Sequence, residues 1–184
     1  MKLRLRRHIV LIGMMGAGKT AVGSELARRL HVPFVDSDAE IEAAAAMTIT
    51  EIFARDGEAF FRDRETQVLG RLLARQPHGV ISTGGGAWIQ PRNRDLIRDC
   101  ALSVWLDCDL DLLWQRVRQR STRPLLKTPD PRGTLAALLE ARAPDYALAD
   151  LTFRSRAGDS VEQSATRLIA ALRDHDPDLL QESR

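Results

Sequence analysis

The sequence predicts a three-layer α/β domain, a parallel sheet with helices on both faces. Three observations carry that expectation. Short apolar runs alternate with helical patterns along the whole chain, a glycine-rich turn joins the first run to the first helix, and Asp- and Gly-rich turns follow later runs. Strand–helix alternation of this kind builds a parallel sheet that is covered on both sides. Ligands of such sheets bind beyond the carboxyl ends of the strands. The chain has 184 residues, enough for one domain with a proper core, and no repeat or linker divides it.

The elements follow in order. His8-Ile9-Val10-Leu11-Ile12 is a short apolar run and reads as a buried strand. Thr20 to Leu30 has a helical pattern. Val32-Pro33-Phe34-Val35 is a second strand, ending in Asp36-Ser37-Asp38. Ala39 to Met47 is an alanine-rich helix. Thr48-Ile49-Thr50-Glu51 is a capping-box signature that opens the next helix, which Gly57 stops. Glu58 to Gln76 is a long helix with Phe60, Phe61, Val68, Leu69, Leu72 and Leu73 as its apolar residues. Gly79 to Thr83 is a third strand running into Gly84-Gly85-Gly86. Pro91 opens a helix to Asp99, where a proline at the first position loses no hydrogen bond. Leu102 to Leu106 is a fourth strand, and Leu110, Leu113, Trp114 and Val117 mark a helical face. Arg118 to Arg132 is basic, proline-rich and unpatterned, the character of an active-site lid. Thr134 to Ala143 is helical, Leu151 to Phe153 is a fifth strand and Val161 to Leu172 is the last helix. The polar tail from Asp174 is expected to fray.

Composition excludes some classes. Hydrophobic residues at 44% and charged residues at 28% are ordinary for a globular protein. A net charge of +2 does not argue for a nucleic-acid surface, and no apolar run approaches the roughly 18 residues of a membrane span. Met1 to Arg7 is basic, but the apolar stretch after it soon ends at the glycine-rich turn. It reads as a solubilising lead into the first strand of a cytoplasmic protein. Cys100 and Cys108 have no metal-ligand spacing and read as structural, reduced thiols. His8, His31, His78 and His175 are scattered and read as surface or strand-edge residues. Arginine exceeds lysine, which suits bidentate gripping of phosphate and carboxylate, although a GC-rich coding sequence yields the same bias.

The first site motif is Gly13-Met14-Met15-Gly16-Ala17-Gly18-Lys19-Thr20, which fits the phosphate-binding pattern G-x-x-x-x-G-K-[ST] and lies between a strand and a helix. Glycines let the backbone close around a polyphosphate, whose charge then meets backbone N–H groups and a helix N-terminus. Lys19 can reach the β- and γ-phosphates and Thr20 can ligate Mg²⁺. The chain is therefore expected to bind a nucleoside triphosphate with Mg²⁺. Asp36 and Asp38 follow strand two; one carboxylate can hold Mg²⁺ through water and the other can accept a proton from a hydroxyl, or Asp38 can cap the next helix. Gly84 to Gly86 permit close approach to a ligand or simply a sharp turn. Glu65 stands one helical turn from Arg62 and can orient it towards an anion, or the two form a solvated surface pair. Arg123, in Ser121-Thr122-Arg123-Pro124-Leu125-Leu126, can bring charge to a transferring phosphoryl group. Asp107, ending the apolar run Val104-Trp105-Leu106, competes with Asp36 as the metal carboxylate, in the manner of a Walker B aspartate, or is a cap for the following helix.

In this order and spacing the motifs resemble those of the shikimate kinase family: a P-loop, D-x-D after strand two, F-R-x-x-E on the long helix, G-G-G after strand three, R-P-L-L in a lid and R-x-P-x-Y beyond. Here they are Gly13 to Thr20, Asp36 and Asp38, Phe61-Arg62 with Glu65, Gly84 to Gly86, Arg123 to Leu126, and Arg142-Ala143-Pro144-Asp145-Tyr146. The resemblance spans roughly residues 8 to 172. It implies a P-loop fold like the nucleoside monophosphate kinases, with a five-stranded parallel sheet ordered 2-3-1-4-5. It implies ATP-dependent phosphorylation of the shikimate 3-hydroxyl on the way to chorismate and the aromatic amino acids. Asp38 would bind the substrate hydroxyls and serve as base, and Arg62 and Arg142 would grip the carboxylate. Gly84, Gly85 and Gly86 would line the substrate site. Arg123 would close over the phosphates. Thr20 would hold Mg²⁺, with Asp36 reaching it through water. Arg116 would stack on adenine, with Arg118 and Arg120 nearby, and the adenine loop around Arg154 to Asp159 matches poorly. A monomer acting on two small substrates, without nucleic acid or membrane, is expected. A gluconokinase-like enzyme would share the P-loop and sheet but gives no reason for Arg62, Arg142 or the triple glycine. A non-catalytic ATP-binding module of the same fold has no need of Lys19, Asp38 and Arg123 together, and no N-K-x-D signature of a GTPase is present.

Overall fold

The computed structural model describes residues 2–119 and 124–183. Strands β1 (Lys2–Leu5) and β2 (His8–Ile12) lead to helix α1 (Lys19–Leu30), then β3 (Phe34–Asp36), α2 (Ser37–Ala45) and α3 (Ile49–Leu73). Next come β4 (Val80–Ser82), α4 (Pro91–Cys100), β5 (Ala101–Asp107), α5 (Leu110–Val117) and α6 (Pro131–Tyr146). The chain closes with β6 (Leu151–Arg154), α7 (Val161–His175) and β7 (Leu180–Ser183). Five strands form a parallel sheet in the order β3-β4-β2-β5-β6. Counted from His8 this is 2-3-1-4-5, as expected.

Every residue of β2 is buried, because the strand lies at the centre of the sheet between β4 and β5. Ile9 pairs with Val80 on one side and Leu102 on the other. The first crossover, through α1, runs towards the β3 edge, and the crossovers that follow run the other way. Crossovers of one hand that travel in opposite directions cover opposite faces, so the sheet is sandwiched. Gly23 lets α1 lie close on it: a Cβ there would stand 2.9 Å from both Leu11 Cδ1 and Phe34 Cε2. Since the strands are parallel, the carboxyl ends of β2, β3 and β4 open on one edge. Gly13 to Thr20, Asp36 to Asp38 and Gly84 to Gly86 meet there.

Local signals hold in detail. Thr48 and Glu51 form the reciprocal capping box at the start of α3. Gly57, at φ 83° and ψ 173°, breaks that helix into two. Three expectations need correction. First, α6 begins at Pro131, because the Asp130 carboxylate accepts the Gly133 N–H at 3.0 Å and caps the helix. The helix also runs past Pro144 to Tyr146. The unpatterned stretch is thus shorter than 118–132, and Pro124–Leu126 within it forms a 3₁₀ turn with Leu126 buried. Second, the N-terminal lead and the polar tail pair as antiparallel strands, with Leu5 opposite Leu180. Buried Leu5 and Leu179 anchor them, and Arg7 donates to Asp176 at 3.0 Å. Third, His8 is buried, which lowers its pKa from 6.5, while its backbone hydrogen bonds oppose the fall: Nδ1 accepts from Gly79 N and Nε2 lies 3.1 Å from Arg75 O.

Two glycines give opposite expectations. A Cβ on Gly79 would stand 2.3 Å from the Pro33 carbonyl oxygen, which accepts the Val80 N–H at the β3–β4 junction. Gly79→Ala should cost about 1–3 kcal/mol through overpacking. Gly70 sits in α3 with nothing within 4 Å of its Cβ position. Gly70→Ala should stabilise by about 0.5–1 kcal/mol through helix propensity. Urea unfolding of both variants reads the difference, and equal shifts would contradict this packing.

Candidate active site

The P-loop wraps the start of α1. Gly16 and Gly18 adopt φ of 80° and 90°, a left-handed conformation open to glycine, and Gly18 is the N-cap of the helix. Lys19 Nζ donates to the Gly13 and Met14 carbonyls at 2.8 and 3.0 Å, fastening the loop from inside. Thr20, next in the chain, donates its hydroxyl to Asp36 Oδ2 at 2.9 Å. Asp36 Oδ1 accepts from the Asp38 and Ala39 backbone N–H groups, so the cap of α2 is Asp36 rather than Asp38. Asp36 is therefore rigid, with one oxygen facing Thr20. Two hard oxygen donors side by side suit Mg²⁺, which keeps most of its waters and takes few protein ligands.

The cap at Asp36 leaves the Asp38 carboxylate turned towards the glycine turn. Each glycine there lies under one charged side chain. A Cβ on Gly84 would stand 2.7 Å from Asp38 Oδ1, one on Gly85 3.2 Å from Arg142 Nη1, and one on Gly86 2.6 Å from Arg62 Nη2. Burial, helped by the neighbouring Asp36 charge and opposed by Lys19, pushes the Asp38 carboxyl up to about 6. Arg62 Nη1 donates to Glu65 Oε1 at 2.9 Å, and the Glu65 side chain is only 2% exposed, so this is a buried pair and not a solvated one. Burial raises the Glu65 pKa, and the Arg62 charge opposes the rise. Asp38 Oδ1, Arg62 Nε and Ser37 Oγ are buried without a hydrogen-bond partner among the described residues. Buried polar atoms are nearly always bonded. A carboxylate and a guanidinium turned to one turn in this way match a small anion that bears hydroxyls.

The cleft of about 880 Å³ continues past the P-loop towards α5 and α7. Arg116 lines it and donates to the Gly16 carbonyl at 3.0 Å. Asp159, at the end of the adenine-loop segment, lines it too, as do Gln115, Gln119, Val161 and Ser164, which sequence reasoning missed. The polar face of α5 and the Ser160–Gln163 capping box that opens α7 were the available signals. Asp107 does not cap α5, whose N-cap position is Asp109: it pairs with Arg154, which also pairs with Asp109. Arg123 lies outside the described residues, as does Arg120.

The surrounding scaffold was also missed. Thr66 donates to Asn93 Oδ1 at 2.7 Å and Asn93 to the Ala87 carbonyl at 3.0 Å, tying α3 to the segment after the glycine turn. Trp88 Nε1 donates to the Asp145 carbonyl at 2.7 Å, tying the same segment to α6. Asn93 and Trp88 sit two to seven residues beyond the triple glycine, where no local pattern marks them.

Comparison with known proteins agrees with this arrangement. A family model described as shikimate kinase matches residues 15–173. A shikimate kinase of Cereibacter sphaeroides is 61% identical over 178 residues, covering 97% of this chain and 88% of that protein. One of Ruegeria pomeroyi is 60% identical over 168 residues, covering 91% and 86%. Among solved structures, shikimate kinase from Acinetobacter baumannii in complex with shikimate superposes with a TM-score of 0.86 at 38% identity, over 92% of this chain and 94% of that one. A gluconokinase of Sinorhizobium meliloti shares the fold alone, with a TM-score of 0.63 at 19% identity, over 96% and 97%. The match takes in the P-loop from Met15 onward, both aspartates, the glycine turn and both arginines, and the chain belongs to the shikimate kinase family.

Proposed function

We propose that this chain transfers the γ-phosphoryl group of ATP to the 3-hydroxyl of shikimate, with Asp38 as the base and Arg62 and Arg142 as the carboxylate clamp. The observation that carries this reading is the seating of these three side chains on three successive glycines, next to a formed P-loop. Shikimate is a small carboxylate with adjacent hydroxyls. Paired guanidiniums fit its anionic end, and a carboxyl with a pKa near 6 is ionised at neutral pH yet basic enough to take a hydroxyl proton.

Phosphoryl transfer asks for positioning and charge neutralisation rather than a covalent nucleophile. Lys19 supplies one positive charge at the loop, and the N-terminus of α1 supplies a further partial charge. Thr20 and Asp36 would hold Mg²⁺, which when bound neutralises phosphate charge. Arg123 brings a further cation to the phosphates, and Arg116 flanks the nucleotide. Exclusion of water over residues 118–130 protects the phosphoryl group from hydrolysis. The same reading takes the protein as a cytoplasmic monomer with ATP and shikimate as its partners. No helix among the described residues is long and apolar enough to cross a membrane.

A coupled assay of ADP release tests the reading directly. Release should depend on shikimate and Mg²⁺ and stay at background with gluconate; equal turnover of gluconate would shift the assignment to the sugar-acid kinases that share the fold. Asp38→Asn should lower kcat by roughly 10²–10⁴, the usual effect of losing a general base. Its stability has the opposite sign. The folded-state carboxyl is raised from 3.8 to about 6. Ionised Asp38 therefore costs stability fully above about pH 6, and the cost fades as pH falls towards the unfolded value. The melting temperature gained by Asp38→Asn should be larger at about pH 8 than at about pH 4. A variant that melts lower than wild type at pH 8 would contradict burial as the cause.

A further inference from the structure

Arg142 has a long flexible side chain, and a clamp works only if its guanidinium is held in place before the substrate arrives. Tyr146 lies one turn further along α6 and its side chain is fully buried. Its hydroxyl stands 2.6 Å from the Gly85 carbonyl oxygen. A carbonyl only accepts, so the single phenol proton points to Gly85. The phenol oxygen is left as an acceptor, and the nearby cation is the Arg142 guanidinium, one turn back on α6 and seated over Gly85, whose charge opposes the rise that burial gives the phenol pKa. Gly85 is also the glycine under Arg142 Nη1. Tyr146 and Arg142 thus converge on Gly85, and the direction of the phenol-to-carbonyl hydrogen bond is fixed.

We propose that Tyr146 is a positioning residue: its hydroxyl joins the Arg142 guanidinium to the Gly85 carbonyl and so sets the affinity for the substrate carboxylate. This rests on the reading that Arg142 receives that carboxylate. The hydroxyl does not carry the helix itself. The end of α6 is fastened separately: Trp88 Nε1 donates to the Asp145 carbonyl, and Arg94 Nη1 reaches Asp145 Oδ1 at 3.2 Å and the Trp88 and Ile89 carbonyls at 2.9 and 3.0 Å. The Tyr146 ring packs against Trp105, with centroids 5.8 Å apart. Tyr146→Phe keeps the ring, the packing and these anchors and removes only the oxygen. Burial also raises the phenol pKa above 10, so the proton that Gly85 accepts stays in place through the neutral range.

The test is steady-state kinetics of wild type, Tyr146→Phe, Arg142→Ala and the double variant, with melting temperature as a control on folding. Tyr146→Phe should raise KM for shikimate by roughly 5- to 50-fold, the loss expected when a charge-assisted hydrogen bond goes. KM for ATP should stay put and kcat should change by less than about threefold. On the Arg142→Ala background Tyr146→Phe should add little, because residues that act as a unit are non-additive. An unchanged KM for shikimate in Tyr146→Phe, alongside a raised one in Arg142→Ala, would overturn the positioning role and leave the clamp standing. Additive effects in the double variant would overturn it as well, since Tyr146 would then act independently of Arg142. A wild-type KM in Arg142→Ala would overturn both the clamp and the role of Tyr146.

Discussion

The site depends on how closely three charged side chains approach one stretch of backbone. Asp38, Arg142 and Arg62 lie over Gly84, Gly85 and Gly86, at separations that would put a Cβ within 2.7, 3.2 and 2.6 Å of them. At contacts below about 3 Å a Cβ at either end of the turn would push the Asp38 carboxylate or the Arg62 guanidinium out of its place, so glycine there preserves the arrangement. The same approach brings the groups together from three elements that are far apart in sequence: the cap of α2, the middle of α3 and the end of α6. It also removes water from one side of each charge. The raised Asp38 pKa follows from that burial.

Buried charges cost stability unless they are paired and hydrogen-bonded. Here the costs are met unevenly. Glu65 is matched by Arg62. Asp38 has the distant charges of Lys19 and Arg62 in its favour, but Asp36 and Glu42 against it. Such a group persists where function needs it, and stability is spent at the site and recovered elsewhere. The recovery is visible in β2, buried along its whole length, and in the capping boxes of α3 and α7.

Much of this was legible because the signals are local. A P-loop is eight consecutive residues between a strand and a helix, and a capping box is four. The triple glycine announces a close approach, although not which side chain approaches which glycine. That pairing is set by the packing of α2, α3 and α6 and has no spacing in the sequence. The α6 start was legible and misread: Asp130-Pro131 is a cap followed by a first-turn proline, but its basic surroundings suggested a lid. The β1–β7 pair was not legible, because two short polar segments at opposite ends of the chain find each other only through buried Leu5 and Leu179. Arg62 and Glu65 had the right helical spacing, yet only the fold shows that the pair is buried. Asp107 had the right position for a metal carboxylate and is taken up by Arg154, a partner from the neighbouring strand β6.

The most direct test of the central claim is a crystal structure of this chain with shikimate and ADP. The account predicts the substrate carboxylate within hydrogen-bond reach of both Arg62 and Arg142, a ring hydroxyl on Asp38, and the ring lying against Gly84 to Gly86. Shikimate bound with its carboxylate turned towards Lys19, or with Asp38 bonded only to protein, would contradict it.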